Sequence, residues 1–453
     1  MPCVRSSLLT TIAFEGSWTK VAHLLVIESP IGVGYSYCQA QTEGKVCQNT
    51  DKFTASTARA ALVDFFTSKF PELANRDFFV TGESYAGVYV PTLAKELLDH
   101  SSVNLVGLAV GDPCTDNDSQ AHSMDALWYG HKYGLVDDAT FDTLWTKCGA
   151  RISSNMMKSA TPSAKHLSAG PMFQETPECT LAFRKFLLST SGGLSQSWKD
   201  LFIDDYSLFA PVSNAEDNDM QIYMNRDDVK AALHVEETPI DTWPYPTQGF
   251  DYTKEYNACN EAPSDSRSMI DFYRELAPQL KLIWVYNGDT DPCVSYEGTR
   301  KAISRVGFPE VDGGSYRPWF YNQSAAPLDV LMEKATLFGP NLVLQNVGAQ
   351  FGGEIVDYAN RLSFVTFHGS GHMVPQFRPQ AALHFLYKFV NYEELSPLLP
   401  FNKTLLDADD DTFEGLMEQW TEDAKSAPYV DDWTWMERSR AMVKRGEVEL
   451  VQE

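Results

Sequence analysis

The sequence of 453 residues predicts an α/β fold: a doubly wound, mostly parallel sheet with helices on both faces. The first observation is that short apolar, strand-like segments alternate with helix-like segments from Val21 to His100. The second is that the pattern resumes near residue 281 and ends in a helical segment at residues 379–390. Strands that alternate with helices pair in parallel, because each helix returns the chain to the same end of the sheet.

The individual elements follow from hydrophobic periodicity. Continuous apolar runs are typical of strands buried on both faces, and apolar residues three or four apart are typical of helices. The predicted strands are "HLLVIE" (23–28), "RDFFVT" (76–81), "NLVGLAVGD" (104–112), "KLIWVYNGDTD" (281–291) and "RLSFVTFHGSGHMVP" (361–375). The predicted helices are "TASTARAALVDFFTSKF" (54–70), "YVPTLAKELLDH" (89–100) and "PQAALHFLYKFV" (379–390).

The same pattern divides the chain into five regions. They are an atypical N-terminus (1–16), the first part of the core (17–118), a helical insertion or cap (119–211), the second part of the core (212–392) and an acidic C-terminal extension (393–453). In the extension, eight acidic residues and no Lys or Arg lie between Asp407 and Asp423. This run favours a solvated helix or a loose tail over a binding element.

Charge and hydropathy narrow the classes of partner. The chain has 36 Lys and Arg against 61 Asp and Glu, a formal net charge of -25. So acidic a chain repels phosphate backbones, and we expect no nucleic acid partner. No run of 18 or more apolar residues occurs, so no membrane span is predicted. The first residues lack the continuous apolar core of a secretory signal, and no signal peptide is predicted in this chain.

The cysteines and sequons indicate an oxidising compartment. Eight cysteines are dispersed along the chain, with no C-x-x-C pair and no Cys/His cluster, so no zinc site is predicted. The pattern fits disulfides better than scattered free thiols, which is the alternative interpretation. Sequons at Asn117, Asn322 and Asn402 point to a glycoprotein of the same kind of compartment.

The segment "TGESYAG" (81–87) predicts a nucleophile. Ser84 follows a predicted strand and opens a predicted helix, which is the context of a nucleophile elbow. The turn of such an elbow is sharp enough that the residues two before and two after the serine must be small, and Gly82 and Ala86 are small. A serine needs a base that is held by a carboxylate, and the chain must supply the acid first and the histidine later.

Two later strands end in the required residue types. The strand at 281–291 ends with Asp289 and Asp291, and the one at 361–375 ends with His372 in a glycine-rich turn, four residues after His368. We predict that Asp291 orients His372 and that Asp289 accepts hydrogen bonds from the turn. His368 is predicted to lie inside the strand and to be structural.

With these motifs, the sequence resembles the serine carboxypeptidase family (peptidase family S10), which has the α/β-hydrolase fold. The similarity extends from about Ser17 to about Asn391. The matching segments are "SWTKVAHLLVIESPIGVGYSY" (17–37), "TGESYAGVYVPTLA" (81–94), "AVGDPCTDN" (109–117), "YMNRDDVKAALHV" (223–235), "IWVYNGDTDPCV" (283–294) and "GSGHMVPQFRPQAALHFLYKFV" (369–390).

The resemblance implies a role for each candidate residue. Ser84 would be the nucleophile, His372 the general base and then acid, and Asp291 the carboxylate that orients it. The backbone N–H of Tyr85 would be one oxyanion donor. Glu83 would bind the free carboxylate at the substrate's C-terminus by sharing a proton with it, which predicts an acidic activity optimum. The expected substrates are peptide or protein C-termini, with neither metal nor organic cofactor.

Members of the family carry a "W-N-G-G-P-G-C-S-S" turn that supplies the second oxyanion donor, and residues 1–16 do not contain it. We therefore expect missing N-terminal strands, an incomplete gene model or internal start, and a truncated chain of reduced activity. Two alternatives to a carboxypeptidase stay open: an acyltransferase of the same fold, and an inactive binding or stabilising homologue. A full-length relative would be vacuolar, lysosomal or secreted, and a homodimer is left open.

The cysteines suggest four disulfide pairs, of which only the first is implied by the resemblance. Cys3 could pair with Cys259, as the cysteine of the family's turn does with a distant partner. Cys148 is expected to pair with Cys179 inside the insertion. Cys38 with Cys47 would close a short loop, and Cys114 with Cys293 would join two strand ends.

Overall fold

The structure, a computed structural model, describes residues 16–101, 103–152, 173–190, 220–244, 250–259, 265–323 and 348–426, together with two short strands before them. Predictions that concern residues 427–453, the insertion at 153–172 and 191–219, or residues 1–15 other than those two strands lie outside the described residues. Within the described ranges, no helix combines the length and hydropathy needed to cross a bilayer.

The strands form one large sheet and two small ones within this part of the chain. The large sheet has the order β4-β5-β7-β10-β9-β8. Its first four strands, β4, β5, β7 and β10, are parallel, and β9 is antiparallel to both of its neighbours, β10 and β8. The strands are β1 (Ser6–Ser7), β2 (Thr10–Thr11), β3 (Cys47–Thr50), β4 (Phe78–Glu83), β5 (Leu105–Gly111), β6 (Phe250–Thr253), β7 (Leu282–Gly288), β8 (Arg317–Gln323), β9 (Gly348–Tyr358) and β10 (Leu362–Phe367).

Helices cover this sheet and extend beyond it. They are α1 (Gln39–Thr42), α2 (Asp51–Asp64), α3 (Ala86–His100), α4 (Asn117–Gln120), α5 (Ala126–Lys132), α6 (Asp138–Asp142), α7 (Pro177–Thr190), α8 (Asp227–Leu233), α9 (Met269–Leu276), α10 (Tyr296–Ser304), α11 (Val374–Phe377), α12 (Pro379–Val390), α13 (Asn402–Asp407) and α14 (Asp410–Lys425). Helix α2 begins where the Thr50 side chain accepts the N–H of Phe53, and the Asp409 side chain caps α14 in the same way.

The core lies on both faces of the large sheet, as a doubly wound fold requires. Every residue of β7 is buried, and successive side chains point to opposite faces. Ile283 and Val285 pack with α3 and α9 on one face. Trp284 packs on the other face, against Phe385 and Phe389 of α12. The predicted fold class, a mostly parallel sheet between helical layers, is confirmed.

The structure differs from the predicted strands in two ways. The segment 23–28 is not a strand, and its apolar side chains from Leu24 to Ile27 are exposed, Val26 by 71%. Among the described strands, β4 is at the edge of the large sheet and pairs with β5 alone, and the segment 23–28 does not pair with it. The sequence reading also missed the antiparallel strands β8 and β9, because "GAQFGGEIVDY" interrupts its apolar residues with glycine and polar side chains.

The described residues of the insertion have a core of their own. Three side chains are buried around the disulfide between Cys148 and Cys179: Leu127 of α5, Phe186 of α7, and Leu144, which follows α6. The described part of the C-terminal extension forms α13 and α14, whose acidic residues are largely exposed. Trp420 anchors α14 to the rest of the chain by donating its Nε1–H to the carbonyl of Pro397 at 3.2 Å.

The disulfides confirm two predicted pairs and correct two others. Cys148–Cys179 and Cys38–Cys47 form as predicted. The third bridge joins Cys114 to Cys259, whose Cα atoms are 5.2 Å apart, so neither Cys3–Cys259 nor Cys114–Cys293 forms. Cys114 follows β5 and meets a partner that lies 145 residues later in the chain, a proximity that comes from the fold and not from sequence spacing.

Candidate active site

The candidate residues follow the carboxyl ends of neighbouring parallel strands. Ser84 follows β4, Asp291 lies beyond the end of β7, and His372 lies beyond the end of β10. Strands β4, β5, β7 and β10 are parallel neighbours in the sheet, so their carboxyl ends meet at one edge. This edge is where open parallel sheets place their ligand sites.

Ser84 lies in a strained strand-to-helix turn. Its φ is +63°, in the left-handed region that side chains other than glycine rarely adopt. The surrounding backbone fixes this conformation. The N–H of Ser84 donates to the carbonyl of Gly111 at 2.9 Å, and its carbonyl accepts the N–H groups of Gly87 and Cys114 at 2.8 and 3.0 Å. This is the geometry of a nucleophile elbow.

The elbow also requires the small residues that the sequence predicts. A Cβ atom placed on Gly82 would lie 2.4 Å from the Cβ of Ala86, closer than two carbon atoms can approach. A Cβ atom on Gly87 would lie 2.3 Å from the carbonyl oxygen of Cys114. The turn can therefore be this sharp only because these positions lack side chains.

His372 and Asp291 form a buried pair. Nδ1 of His372 lies 2.8 Å from Oδ2 of Asp291, and almost no surface of either side chain is exposed. The other carboxylate oxygen, Oδ1, accepts the backbone N–H of Cys293 at 2.7 Å. The carboxylate is therefore fixed from two sides, and it can hold the imidazole in one tautomer and orientation.

Asp289 and His368 lie at the same edge but face solvent. Asp289 accepts the backbone N–H of Gly369 through Oδ1 at 2.6 Å, which confirms the predicted hydrogen bond to the turn. Its Oδ2 lies 2.9 Å from Nδ1 of His368. His368 follows β10, so the prediction that it lies inside the strand is wrong by one residue.

Glu83 is the last residue of β4 and lies next to the buried pair. Burial raises the pKa of its carboxyl to about 7; positive charge on His372 opposes this rise, and the charge of Asp291 adds to it. A carboxylic acid with this pKa holds its proton through the acidic range. It can thus donate a hydrogen bond to another carboxylate.

Tyr85 directly precedes helix α3, and its side chain is held by a buried carboxylate. The phenol O–H donates to Oδ1 of Asp51 at 2.9 Å, and Asp51 also accepts the O–H of Tyr252 at 2.8 Å and the N–H of Glu255 at 2.6 Å. Asp51 is fully buried, so these donors compensate its charge. The backbone N–H of Tyr85 donates to no residue in the described ranges. The second oxyanion donor is predicted to be missing, because residues 1–16 lack the family's turn, and this prediction falls almost entirely on residues outside those ranges.

Sequence reasoning missed one residue of this cluster. Asp112 follows β5, the strand between β4 and β7, and is completely buried. One oxygen or nitrogen atom of Asp112, of Asp291 and of His372 lies within 4.8 Å of the other two. The hydrogen bonds that His372 Nδ1 and both aspartates already make favour a proton-sharing cluster over a cation site. The signal in the sequence was a carboxylate directly after a buried parallel strand.

A family model described as serine carboxypeptidase matches residues 5–392 of this chain. The chain belongs to the serine carboxypeptidase family. The match begins earlier than Ser17, where the recognisable motifs start, and it includes Ser84, Asp112, Asp291 and His372. The predicted resemblance to this family is confirmed.

Relatives of this family member agree with the assignment. Serine carboxypeptidase-like 22 of Arabidopsis thaliana is 30% identical over 394 residues, covering 84% of this chain and 75% of that protein. Serine carboxypeptidase 24 of the same plant is 28% identical over 395 residues, covering 84% and 74%. The crystal structure of Kex1Δp, a prohormone-processing carboxypeptidase from Saccharomyces cerevisiae, has a TM-score of 0.57 at 20% identity and covers 84% of this chain and 76% of that chain. The likeness to that structure shows the shared fold.

Proposed function

We propose that this chain is a serine-type carboxypeptidase that hydrolyses C-terminal residues from peptides and proteins. The observation that carries the proposal is the buried 2.8 Å contact between His372 and Asp291, at the sheet edge where the strained Ser84 turn also lies. A histidine held by a buried carboxylate is what a serine needs to become a nucleophile at ordinary pH. Membership in the serine carboxypeptidase family supports the same reaction.

The first half of the proposed reaction forms an acyl-enzyme. Ser84 Oγ attacks the carbonyl carbon of the last peptide bond, and its proton passes to Nε2 of His372. Asp291 stabilises the imidazolium that forms, and the Tyr85 N–H donates to the oxyanion. His372 then returns the proton to the leaving nitrogen, the C–N bond breaks, and the C-terminal amino acid departs. Ser84 is left as an ester of the shortened peptide.

The second half hydrolyses this ester. A water molecule attacks the ester carbonyl and gives a proton to His372 Nε2. The C–O bond to Ser84 breaks, and His372 returns the proton to Ser84 Oγ. The products are the shortened peptide and the free enzyme, so protons and electron pairs balance without a further reactant.

Glu83 would make the proposed enzyme specific for the C-terminal ends of peptide chains. Two carboxylates in contact cannot both stay ionised at low cost, so a proton shared between Glu83 and the substrate's C-terminal carboxylate stabilises the complex. The pKa of about 7 for Glu83 supports this role, because the shared proton is then available at acidic and neutral pH. An acidic activity optimum follows. The acidic lumen of a vacuole or lysosome fits this optimum. The three disulfides among the described residues fit such a lumen or the exterior of the cell.

The test combines labelling with turnover. A fluorophosphonate should label wild-type protein at Ser84 and leave a Ser84→Ala variant unlabelled, and the wild type should release the last residue of an N-blocked dipeptide. Labelling without hydrolysis, but with acyl transfer from an activated ester to an alcohol, would identify an acyltransferase instead. A folded wild-type protein without labelling would favour a binding or stabilising homologue.

A further inference from the structure

Asp112 is a third acid in the buried cluster, and the proposed reaction leaves it unused. Its backbone φ is +46°, and its N–H donates to the carbonyl of Tyr286 at 2.7 Å, so its position is fixed by β7. Oδ1 accepts two donors from the end of the same strand, the side-chain amide of Asn287 at 3.0 Å and the N–H of Gly288 at 2.9 Å.

The second oxygen of Asp112 has a different environment from the first. Oδ2 is buried and accepts no hydrogen bond from the described residues. An oxygen of this carboxyl group lies within 4.8 Å of an oxygen of the Asp291 carboxyl group, which is itself an acceptor for His372 and Cys293. Two buried carboxyl groups this close cannot both stay ionised at low cost, and the oxygen that lacks a donor is the natural place for the proton.

Electrostatics favours Asp112 as the proton carrier. Burial raises the pKa of Asp112 well above its usual value, and the charges of Asp291 and Glu83 and a hydrogen bond with Asp291 raise it further. The N–H of Gly288 acts in the opposite direction but does not reverse the shift. Other titratable groups around this acid are His372, across the cluster, and the buried phenol of Tyr286.

We infer that Asp112 is a positioning residue: as a neutral acid it donates a hydrogen bond to the Asp291 carboxylate and thereby fixes the orientation and basicity of the Asp291–His372 pair. The inference rests on the proposed triad. Asp291 then accepts from three sides, from Cys293, His372 and Asp112. One negative charge, rather than two, faces the imidazolium that forms in each half of the reaction.

The experiment measures the rate at which a small neutral fluorophosphonate labels Ser84 between pH 4 and pH 9. Such a probe has no carboxylate, so recognition by Glu83 does not enter. The acidic limb of this profile follows protonation of His372. The variants are Asp112→Asn, which keeps a neutral donor of the same shape, and Asp112→Ala, which removes the donor.

The Asp112→Asn variant should keep the acidic limb within about 0.3 pH units of the wild type and the plateau rate within about threefold, because an amide N–H replaces the O–H. The Asp112→Ala variant should move the limb upward by about 0.5 to 1 pH unit and lower the plateau about tenfold, because Asp291 loses a donor and becomes more basic. A downward shift in Asp112→Asn would mean that a negative charge had been removed, and would overturn the inference. An Asp112→Ala profile identical to the wild type would also overturn it.

Two further measurements keep the test decisive. Asp125 is another buried aspartate with a raised pKa, but it accepts only backbone N–H groups in the insertion. Asp125→Asn should lower the melting temperature without moving the limb, which separates positioning from general destabilisation. Titration of His372 by NMR in a Ser84→Ala background, with and without Asp112→Asn, reads the pair even if Ser84 is not reactive. If Asp112→Asn leaves the titration of His372 unshifted, the inference about Asp112 is supported even when Ser84 is not labelled. Absent labelling would then count only against Ser84 as the nucleophile.

Discussion

Oδ2 of Asp289 lies 2.9 Å from Nδ1 of His368, so the edge of the sheet carries a second Asp–His pair beside Asp291 and His372. Distance does not separate the two pairs, but burial does. The side chains of His368 and Asp289 are 57% and 26% exposed, whereas those of His372 and Asp291 are 3% and 0% exposed. Water screens the exposed pair, and the buried carboxylate interacts more strongly with a developing imidazolium.

This difference predicts opposite outcomes for two alanine variants. His372→Ala should lower kcat/KM for a blocked dipeptide by at least about 1,000-fold, because the serine loses its base. His368→Ala should change it by less than about threefold and have a small effect on stability. Steady-state kinetics on both variants, with circular dichroism to verify folding, makes the comparison. Comparable losses of kcat/KM in both variants would contradict the assignment of the catalytic base to His372 alone.

The part of this site that sequence predicts is the part encoded locally. Ser84 with Gly82 and Ala86 is one short turn, and Asp291 and His372 each lie a few residues after a completely buried strand. Asp112 has an equally local signal, but its role depends on β5 lying between β4 and β7. That lateral order comes from three-dimensional packing, which the spacing of residues along the chain does not encode.

The wrong predictions also concern contacts between segments that are distant in the sequence. The segment 23–28 has the composition of a strand, but a strand exists only where a neighbour supplies hydrogen bonds, and among the described strands none pairs with it. Cys114 was likewise predicted to pair with Cys293, which follows another strand of the site, and it pairs instead with Cys259. Long-range pairing is therefore what the sequence reading lacked.

The pKa of Glu83 predicts how substrate binding depends on pH. Burial raises this pKa from a usual value of 4.5 to about 7, so the proton that Glu83 shares with a substrate carboxylate is lost as the pH rises through about 7. KM for a blocked dipeptide should therefore rise above pH 7 while kcat changes little. Glu83→Gln, which cannot lose a proton, should give a KM that is nearly independent of pH in this range. A wild-type pH profile in the glutamine variant would contradict the role of Glu83.

The same shift predicts the direction of a stability change. A carboxyl whose pKa is higher in the folded than in the unfolded protein stabilises the fold fully below about pH 4.5, and this contribution is lost as the pH rises toward about 7. Between these values, Glu83→Gln should lose less stability with rising pH than the wild type. Urea denaturation at pH 4.5 and pH 7.5 measures the difference, and identical pH dependence in both proteins would refute the predicted titration.

The elbow predicts a penalty for adding one methyl group at Gly82. A Cβ atom there would lie 2.4 Å from the Cβ of Ala86 and 3.1 Å from a methyl carbon of Val90, so the strand and the helix must move apart. Gly82→Ala should lower the free energy of unfolding by about 1 to 3 kcal/mol. Gly415 is the matched control, because it lies in helix α14 with open space around it. Gly415→Ala should raise stability by about 0.5 to 1 kcal/mol; a loss at both positions would point to a general effect of substitution.

The disulfides predict an order of stability. Cys114–Cys259 closes a loop of 145 residues and Cys38–Cys47 a loop of 9. Each bridge joins one buried cysteine to one half-buried cysteine, so serine substitutions cost similar packing energy in both. The loop entropy of the unfolded chain then makes the longer bridge worth about 2 kcal/mol more. The Cys114→Ser/Cys259→Ser double variant should accordingly unfold at lower urea than Cys38→Ser/Cys47→Ser.

Activity distinguishes the two bridges as well. The N–H of Cys114 donates to the carbonyl of Ser84 at 3.0 Å, so the longer bridge also fixes the residue that supports the elbow. At a temperature where both variants are folded, the Cys114→Ser/Cys259→Ser protein should lose fluorophosphonate labelling rate, because Ser84 is held less firmly in its left-handed conformation. The Cys38→Ser/Cys47→Ser protein should label at the wild-type rate. Equal labelling in both folded variants would mean that the strand and the helix alone determine the elbow.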